Sequence, residues 1–131
     1  MKITNKEAVE MLNVLTAMGD KNLPRKLSFA IVKNVNLIES QIYKPYFSEF
    51  QKIDEKYAVI DKDGKKKKDE KGNLIYKNRK EYEKELEELF SCENEIELHK
   101  IDEALLDQCD ENEKFSPLSV MECKILMKML K

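Results

Sequence analysis

The chain has one histidine, His99, which is the first side chain to consider as a general acid or base. A catalytic histidine needs a group that orients its ring, and Asp102 is the nearest downstream carboxylate. Residues 95–101 alternate between polar and apolar types, however, which puts His99 on the polar face and Ile96 and Leu98 on the opposite one. No serine or cysteine stands in a recognisable nucleophile motif. The pattern therefore favours an exposed strand histidine, and we expect no enzymatic activity.

Zinc is the second chemistry to consider, because the chain also has three cysteines. The four candidate ligands are Cys92, His99, Cys109 and Cys123. Structural zinc sites normally draw two ligands from one turn, and these residues form no such close pair. An odd set of three cysteines without paired spacing is typical of reduced thiols in a cytosol. We therefore predict ordinary thiols, with no metal and no other cofactor.

A stretch near the middle of the chain partly imitates a calcium-binding loop. When Val59 is counted as the first position, ligand-type residues and the required glycine fall at loop positions 3, 5, 6 and 12, namely Asp61, Asp63, Gly64 and Glu70. The first position is nevertheless a valine, and lysines fill the centre of the loop. Calcium requires dense anionic oxygen, which ammonium groups oppose. We interpret the match as accidental.

The same stretch, residues 61–73, carries the most concentrated positive charge in the chain. Its six lysines are Lys62, Lys65, Lys66, Lys67, Lys68 and Lys71. They could neutralise phosphates of a nucleic acid, but four acidic residues in the stretch reduce its net charge to +2. It also contains no arginine or aromatic side chain to contact bases. The lysines are therefore predicted to contact a partner protein, with nucleic-acid binding as the alternative.

Aromatic residues cluster around Pro45. Helical spacing places Tyr46, Phe50 and Tyr57 together on an inward face, whereas Tyr43 and Phe47 form a second pair at i, i+4. Aromatic side chains dominate the hot spots of protein interfaces. They also fill hydrophobic cores, which is the simpler interpretation for the inward set. Tyr43 and Phe47 are thus the candidates for partner contact.

Composition indicates one domain, spanning residues 1–131, with a modest core and a large solvated surface. Charged residues make up 38% of the chain and apolar residues 41%. The net charge is only −2, and residues 91–131 hold ten acids against five bases, so the chain lacks the net basic character of most nucleic-acid binders. No apolar run is long enough to predict a signal peptide or a membrane span.

Periodicity and end signals predict the elements that position these residues. Thr4 and Asn78 each precede a glutamate by three positions, which indicates two capping boxes. Proline at residue 45 predicts a kink near residues 43–44 or a junction of two helices. Helices are expected over about 5–18, 24–56, 79–91, 102–109 and 117–130, a hairpin over about 57–77, and a strand over about 95–101 beside the hairpin. No internal repeat is visible.

Several segments resemble a family of small proteins encoded by bacteriophages and prophages of low-GC Gram-positive bacteria. The likeness rests on Met1–Glu7, on Leu23–Val35, on Glu81–Leu89 and on Glu95–Ile101. The family is one of uncharacterised function, so the resemblance implies a phage origin and no catalytic residues. It also implies action inside the bacterial host's cytoplasm or in the virion, by contact with host or virion proteins.

We therefore predict a mainly helical α+β fold of four or five helices, a small two- or three-stranded antiparallel sheet and a protruding charged hairpin. The predicted function is non-enzymatic protein–protein interaction, which would either inhibit a host enzyme or defence complex or assist virion assembly. The alternative is a nucleic-acid-associated protein that uses the hairpin lysines. Self-association into a homo-oligomer is a further alternative, and no membrane partner is expected.

Overall fold

Helices make up most of the structure, a computed structural model that describes residues 1–131. The α-helices are α1 (Asn5–Ala17), α2 (Arg25–Ile38), α3 (Lys44–Tyr57), α4 (Arg79–Ser91), α5 (Ala104–Glu111) and α6 (Val120–Leu126). Short 3₁₀ turns at Met18–Asp20 and Met127–Met129 extend α1 and α6. Two strands, β1 (Lys2–Thr4) and β2 (Glu93–Glu95), form an antiparallel sheet. The mainly helical α+β fold predicted from the sequence is confirmed.

One π-helical turn, Glu39–Tyr43, joins α2 to α3 without a break, so residues 25–57 form one continuous helical segment. The backbone N–H of Lys44 donates to the carbonyl of Glu39, which is the wider spacing of a π turn. Pro45 follows immediately. A proline ring would crowd the carbonyl four residues earlier in a regular α-helix, and the wider turn relieves that contact. The prediction of a disturbed helix at residues 43–44 thus corresponds to a π turn.

Two of the helices, α1 and α6, begin at capping boxes. Thr4 accepts from the N–H of Glu7, whose carboxylate accepts from the N–H of Thr4, so the first predicted capping box is confirmed. The second is wrong, because Asn78 adopts a left-handed conformation and its side chain caps nothing. The last helix begins at Val120 and not at residue 117, since Ser119 forms its capping box with Glu122.

The predicted strand at 95–101 is corrected by the sheet. β2 ends at Glu95 and pairs with β1 in the register Ile3 to Asn94, so its partner is the start of the chain and not the hairpin. Residues 96–101 continue as an extended segment outside the sheet, with Ile96 and Leu98 buried as the alternation predicted. Within this segment His99 is bound by Asn34 of α2, and Ile101 forms an isolated parallel bridge with Leu130.

A single hydrophobic core joins these elements. Its members come from β1, α1, α2, the extended segment, α5 and α6, and its most completely buried side chains include Met11, Leu15, Leu27, Ile38, Ile125, Leu126 and Met129. The core therefore lies between α1, α2 and α6. No residue of α3, of residues 58–77 or of α4 belongs to this cluster.

Asn34 is the one polar side chain of α2 in the core, and it is 0% exposed. Its amide nitrogen donates to the carbonyl of His99 at 3.1 Å, and its oxygen accepts from the N–H of His99 at 2.7 Å. The amide thus supplies the two hydrogen bonds that a neighbouring strand would have made. This pair holds the extended segment against α2.

Replacing Asn34 by alanine should lower the free energy of unfolding by about 2 kcal/mol, because both backbone groups of His99 would lose their buried partner. Urea denaturation measures this change. Asn36→Ala on the exposed face of the same helix is the matched control and should change stability by less than about 0.5 kcal/mol. Equal effects of the two substitutions would contradict the role assigned to the Asn34 amide.

Candidate functional site

The hairpin, residues 57–77, contains three extended segments and two tight turns in place of the predicted pair of strands with one long loop. Isolated antiparallel bridges join Ile60 to Lys66, Lys68 to Leu74 and Ala58 to Tyr76, so each segment pairs with both others. At mid-height the N–H of Val59 donates to the carbonyl of Ile75, Ile75 donates to Lys67, and Lys67 donates to Val59. These three hydrogen bonds join the three segments to one another in a closed ring, so the hairpin is compact.

The two turns have the same construction. A carboxylate oxygen of Asp61 accepts from the N–H groups of Asp63 and Lys65, and Asp69 makes the equivalent bonds to Lys71 and Asn73. Gly64 and Gly72 occupy corresponding positions at φ 79° and 83°, a conformation that favours glycine. The expectation of no internal repeat is wrong: an Asp-x-x-Gly turn occurs twice, at an interval of eight residues. That interval was readable in the sequence.

The base of the hairpin is anchored by Asp54 of α3, which is only 7% exposed. Its carboxylate accepts from Lys66 Nζ at 2.6 Å, from the Tyr76 hydroxyl at 2.6 Å and from the Tyr82 hydroxyl of α4 at 3.3 Å. The Tyr76 and Tyr82 rings stack with centroids 4.1 Å apart, and the Tyr57 ring meets Tyr82 edge-on. One carboxylate therefore connects α3, α4 and the hairpin.

Opposing effects act on the ionisation of Asp54. Burial alone would raise the pKa of its carboxyl, but the hydrogen bonds from Lys66, Tyr76 and Tyr82 outweigh burial and hold that pKa below its ordinary value. Burial, followed by the bond to Asp54, raises the pKa of the Tyr76 hydroxyl well above its usual range. The bond to Asp54 likewise raises the pKa of Lys66. Asp54 is thus held as a carboxylate beside the Lys66 ammonium and the neutral Tyr76 phenol.

This cluster decides what the hairpin lysines can do. Lys66, predicted as a partner contact, is bound to Asp54 and serves the hairpin's own structure. The other five predicted lysines have exposed side chains, namely Lys62, Lys65, Lys67, Lys68 and Lys71. Of the six hairpin lysines, one therefore has a structural role and the other five make no ion pair.

Aromatic residues of the π turn and of the first half of α3 form a row that reaches α4. The rings of Tyr43 and Phe47 stack at 5.8 Å, and Phe47 and Phe50 stack at 6.3 Å. Tyr46 contacts Tyr43 and Phe50, and it also contacts Phe90 of α4 at 6.0 Å. These five residues are called the aromatic face below. Phe47 is 41% exposed, whereas Tyr43 is half-buried, so the predicted pair is only partly open to solvent.

A groove of about 480 Å³ continues the aromatic face between α1, α3 and α4. Its apolar lining comes from Val9, Tyr46, Leu86 and Phe90, and its polar rim from Lys6, Glu83, Glu87 and Ser91. The groove lies where the end of α4 packs beside the start of α3. Packing between two helices leaves no signal in the pattern of either one, so the sequence did not predict the groove.

The side chains considered for zinc binding are not grouped as a metal site, and Asp102, the carboxylate considered for orienting His99, pairs with Lys131. His99 contributes its backbone to the bond with Asn34 while its side chain is exposed. The three cysteines are unpaired; Cys92 is exposed and Cys109 is buried. Burial raises the pKa of the Cys109 thiol, and nearby Asp110 adds to that effect. No group of three His, Cys, Asp or Glu side chains is arranged to hold a metal ion.

No family model, curated protein or solved structure matches the chain. The resemblance to a phage family therefore stays a prediction. None of the helices combines the length and the apolar character that crossing a bilayer requires.

Replacing Asp54 by alanine should lower the free energy of unfolding by about 2–3 kcal/mol, because Lys66, Tyr76 and Tyr82 would lose a charged, buried acceptor. Hydrogen exchange should show the largest loss of protection at the hairpin amides of residues 59, 67 and 75. Glu55→Ala, an exposed acid next to it in α3, is the control and should leave both readouts unchanged. Unaltered exchange in Asp54→Ala would disprove the anchoring role.

The lowered pKa of Asp54 also predicts a pH dependence. A depressed folded-state pKa contributes stability that is present above the unfolded-state pKa, near the ordinary value of 3.8, and is lost as pH falls through the folded-state pKa. Asp54→Asn removes this group from titration. Stability curves measured from pH 6 downward should therefore fall less steeply below about pH 4 in Asp54→Asn than in the unsubstituted chain. Parallel curves would contradict a lowered pKa.

Proposed function

We propose that this chain is a non-enzymatic, phage-encoded protein that acts by binding another protein. The proposed place of action is the cytoplasm of a bacterial host or the virion. The partner is either a host enzyme or defence complex that is inhibited, or a virion component that is being assembled. The observation that carries the proposal is the aromatic face together with its groove. The phage origin is supported by the sequence resemblance alone.

The aromatic face has the features of an interface centre. Aromatic side chains supply much of the binding free energy of protein interfaces, especially where they lie beside a pocket that excludes water. Phe47 exposes an apolar ring, and the neighbouring residue, Tyr46, lines the groove. Tyr46 is held in place by contacts with Phe50 and with Phe90 of α4. Little side-chain ordering would therefore be needed on binding.

The rim of the groove indicates the chemistry of the partner. Glu83 and Glu87 line the groove with one ammonium group, Lys6, and Glu83 pairs with Arg79 at 3.1 Å. The neighbouring surface of α4 adds Glu88 but also Lys80 and Lys84, so the charges around the groove are of both signs. A partner segment that complements this surface would present apolar side chains flanked by charged side chains of both signs. An amphipathic helix has that arrangement, and it would lie in a groove between helices.

The hairpin would provide a second, weaker contact. Eleven residues separate Tyr46 from Tyr57, so the aromatic face and the base of the hairpin are about 16 Å apart along α3. The five free lysines suit an acidic surface on the partner. Such exposed charges mainly affect association rate and specificity and contribute little affinity.

The lysine hairpin also underlies the alternative function, binding of nucleic acid. Two observations weaken it. Lys66 is neutralised by Asp54, and the carboxylates of Asp61 and Asp69 stand at the two turns, beside the remaining lysines. The net positive charge available for phosphates is therefore smaller than the lysine count suggests.

Substitutions on the aromatic face should abolish partner binding. Phe47→Ser, and separately the double variant Glu83→Lys with Glu87→Lys, should each lower recovery of the partner from host lysate at least tenfold in affinity capture. Val32→Ser, another exposed apolar residue on a helix, is the control for the first. Glu111→Lys with Glu113→Lys, two exposed acids elsewhere, is the control for the second. The recovered protein is then purified and titrated against the same set.

The outcomes separate the candidate surfaces. If the controls and the aromatic-face variants recover the same partner equally well, the aromatic face is not the contact and the proposal fails. A further variant changes Lys62, Lys65, Lys67, Lys68 and Lys71 to serine but keeps Lys66, so that the hairpin stays anchored. A partner lost only in that variant would move the contact to the hairpin. Loss of nucleic acid between 50 and 200 mM salt in the same preparations would favour the alternative function.

A further inference from the structure

A basic pocket lies on the outward side of α2, distinct from the aromatic face. It is an open concavity with a volume of about 300 Å³, and it is lined by α2, the extended segment, the start of α5 and the last residue. Its lining residues are Lys26, Phe29, Ala30, Lys33, His99, Lys100, Ile101, Asp102, Leu105 and Lys131. The four from α2 are spaced i, i+3, i+4 and i+7, so they form one face of that helix.

The charge of the pocket is strongly positive. It has four lysines and one carboxylate, Asp102, which pairs with Lys131 at 3.3 Å. Lys26, Lys33 and Lys100 make no ion pair within the chain. In a chain of net charge −2, three free ammonium groups around one concave site are a local exception. They would favour a ligand with more than one negative charge.

An apolar ring lies among these charges. Phe29 is 59% exposed although it is among the largest apolar side chains of the chain. Three to four residues of helix separate it from Lys26 and from Lys33, so the ring stands between two cations on one helix face. A flat aromatic surface beside ammonium groups is the combination by which proteins bind single-stranded nucleic acids, with the ring stacking on a base and the cations contacting phosphates.

The wall opposite α2 is held rigidly. The backbone of His99 is fixed to the fully buried Asn34 by two hydrogen bonds, and the N–H of Ile101 donates to the carbonyl of Met129 at 2.8 Å. His99, Lys100 and Ile101 therefore have a defined position relative to α2. A preformed site loses less conformational entropy when a ligand binds.

We propose that this pocket binds a phosphorylated nucleobase, either a free nucleotide or one nucleotide of a single strand. Phe29 stacks on the base, and Lys26, Lys33 and Lys100 contact the phosphates. The volume is at the lower limit of ligand pockets, which fits one nucleotide and not a larger cofactor. An acidic peptide would satisfy the lysines but would leave the Phe29 ring without a flat partner. This proposal uses no residue of the aromatic face and is independent of the proposed function.

The test uses the full chain at 50 mM salt. Fluorescence anisotropy measures binding of labelled twelve-residue oligo-dT and oligo-U, and calorimetry measures binding of ATP and AMP. Lys26→Glu with Lys33→Glu should weaken binding at least tenfold. Phe29→Ala should weaken it about tenfold through loss of stacking. The matched control is Lys77→Glu with Lys114→Glu, two exposed lysines outside the pocket and outside the six candidate hairpin lysines, which makes the same change of net charge and should alter affinity less than twofold.

Binding of the oligomers alone, or of the nucleotides as well, supports the proposal and distinguishes the two sources of the ligand. Equal weakening by the Lys77→Glu, Lys114→Glu control would show unspecific charge attraction and would overturn it. So would an unchanged affinity in Phe29→Ala, absence of binding to all four probes, or equal affinity for an oligoglutamate peptide. Circular dichroism melting checks that each variant is folded. Every substituted side chain is exposed, and all except Lys33 and Phe29 lie at helix ends or in turns, so the substitutions should leave the fold intact.

Discussion

A carboxylate buried near the end of α3 can stay ionised only if donors are brought to it, and the arrangement of the hairpin and α4 meets that requirement. Asp54 receives one ammonium and two hydroxyl groups from three places in the chain. The hydrophobic core does not extend to this end of the molecule, so the carboxylate and the stacked tyrosines take over its role there. The position of the hairpin, and of the five exposed lysines on it, depends on this one carboxylate.

Polar side chains perform a similar task elsewhere in the fold. Asn34 binds the backbone of His99, and Asn5 donates to the carbonyl of Leu89 and accepts from Asn94. Each of these buried amides joins segments that are distant in sequence. Apolar contacts stabilise without fixing a unique alignment, whereas a buried amide is satisfied in only one. With a core of modest size, such bonds determine which part of one element lies beside which part of another.

The sequence predicted the features that a single helix or strand carries by itself. It did not predict the features that arise between two elements. Periodicity located the helices and the buried face of Ile96 and Leu98, because a single amphipathic element carries that pattern itself. The pairing of β2 with β1 and the groove beside Phe90 arise between elements, so no local pattern encodes them. Asp54 was a signal that could have been used, since it lies on the same helical face as Phe50 and Tyr57. An acid at an inward position requires partners, but the sequence does not say that these are Lys66, Tyr76 and Tyr82.

The π turn before Pro45 can also be considered as the trace of an inserted residue. One extra residue in an α-helix rotates everything that follows by about 100° around the axis. Without the added residue, the apolar stripe of α2 would continue straight into α3, and Tyr46 and Phe50 would face another direction. The insertion turns those rings toward α4 while α2 keeps its own contacts with the core. A single change in chain length thus gives one helical segment two differently directed faces.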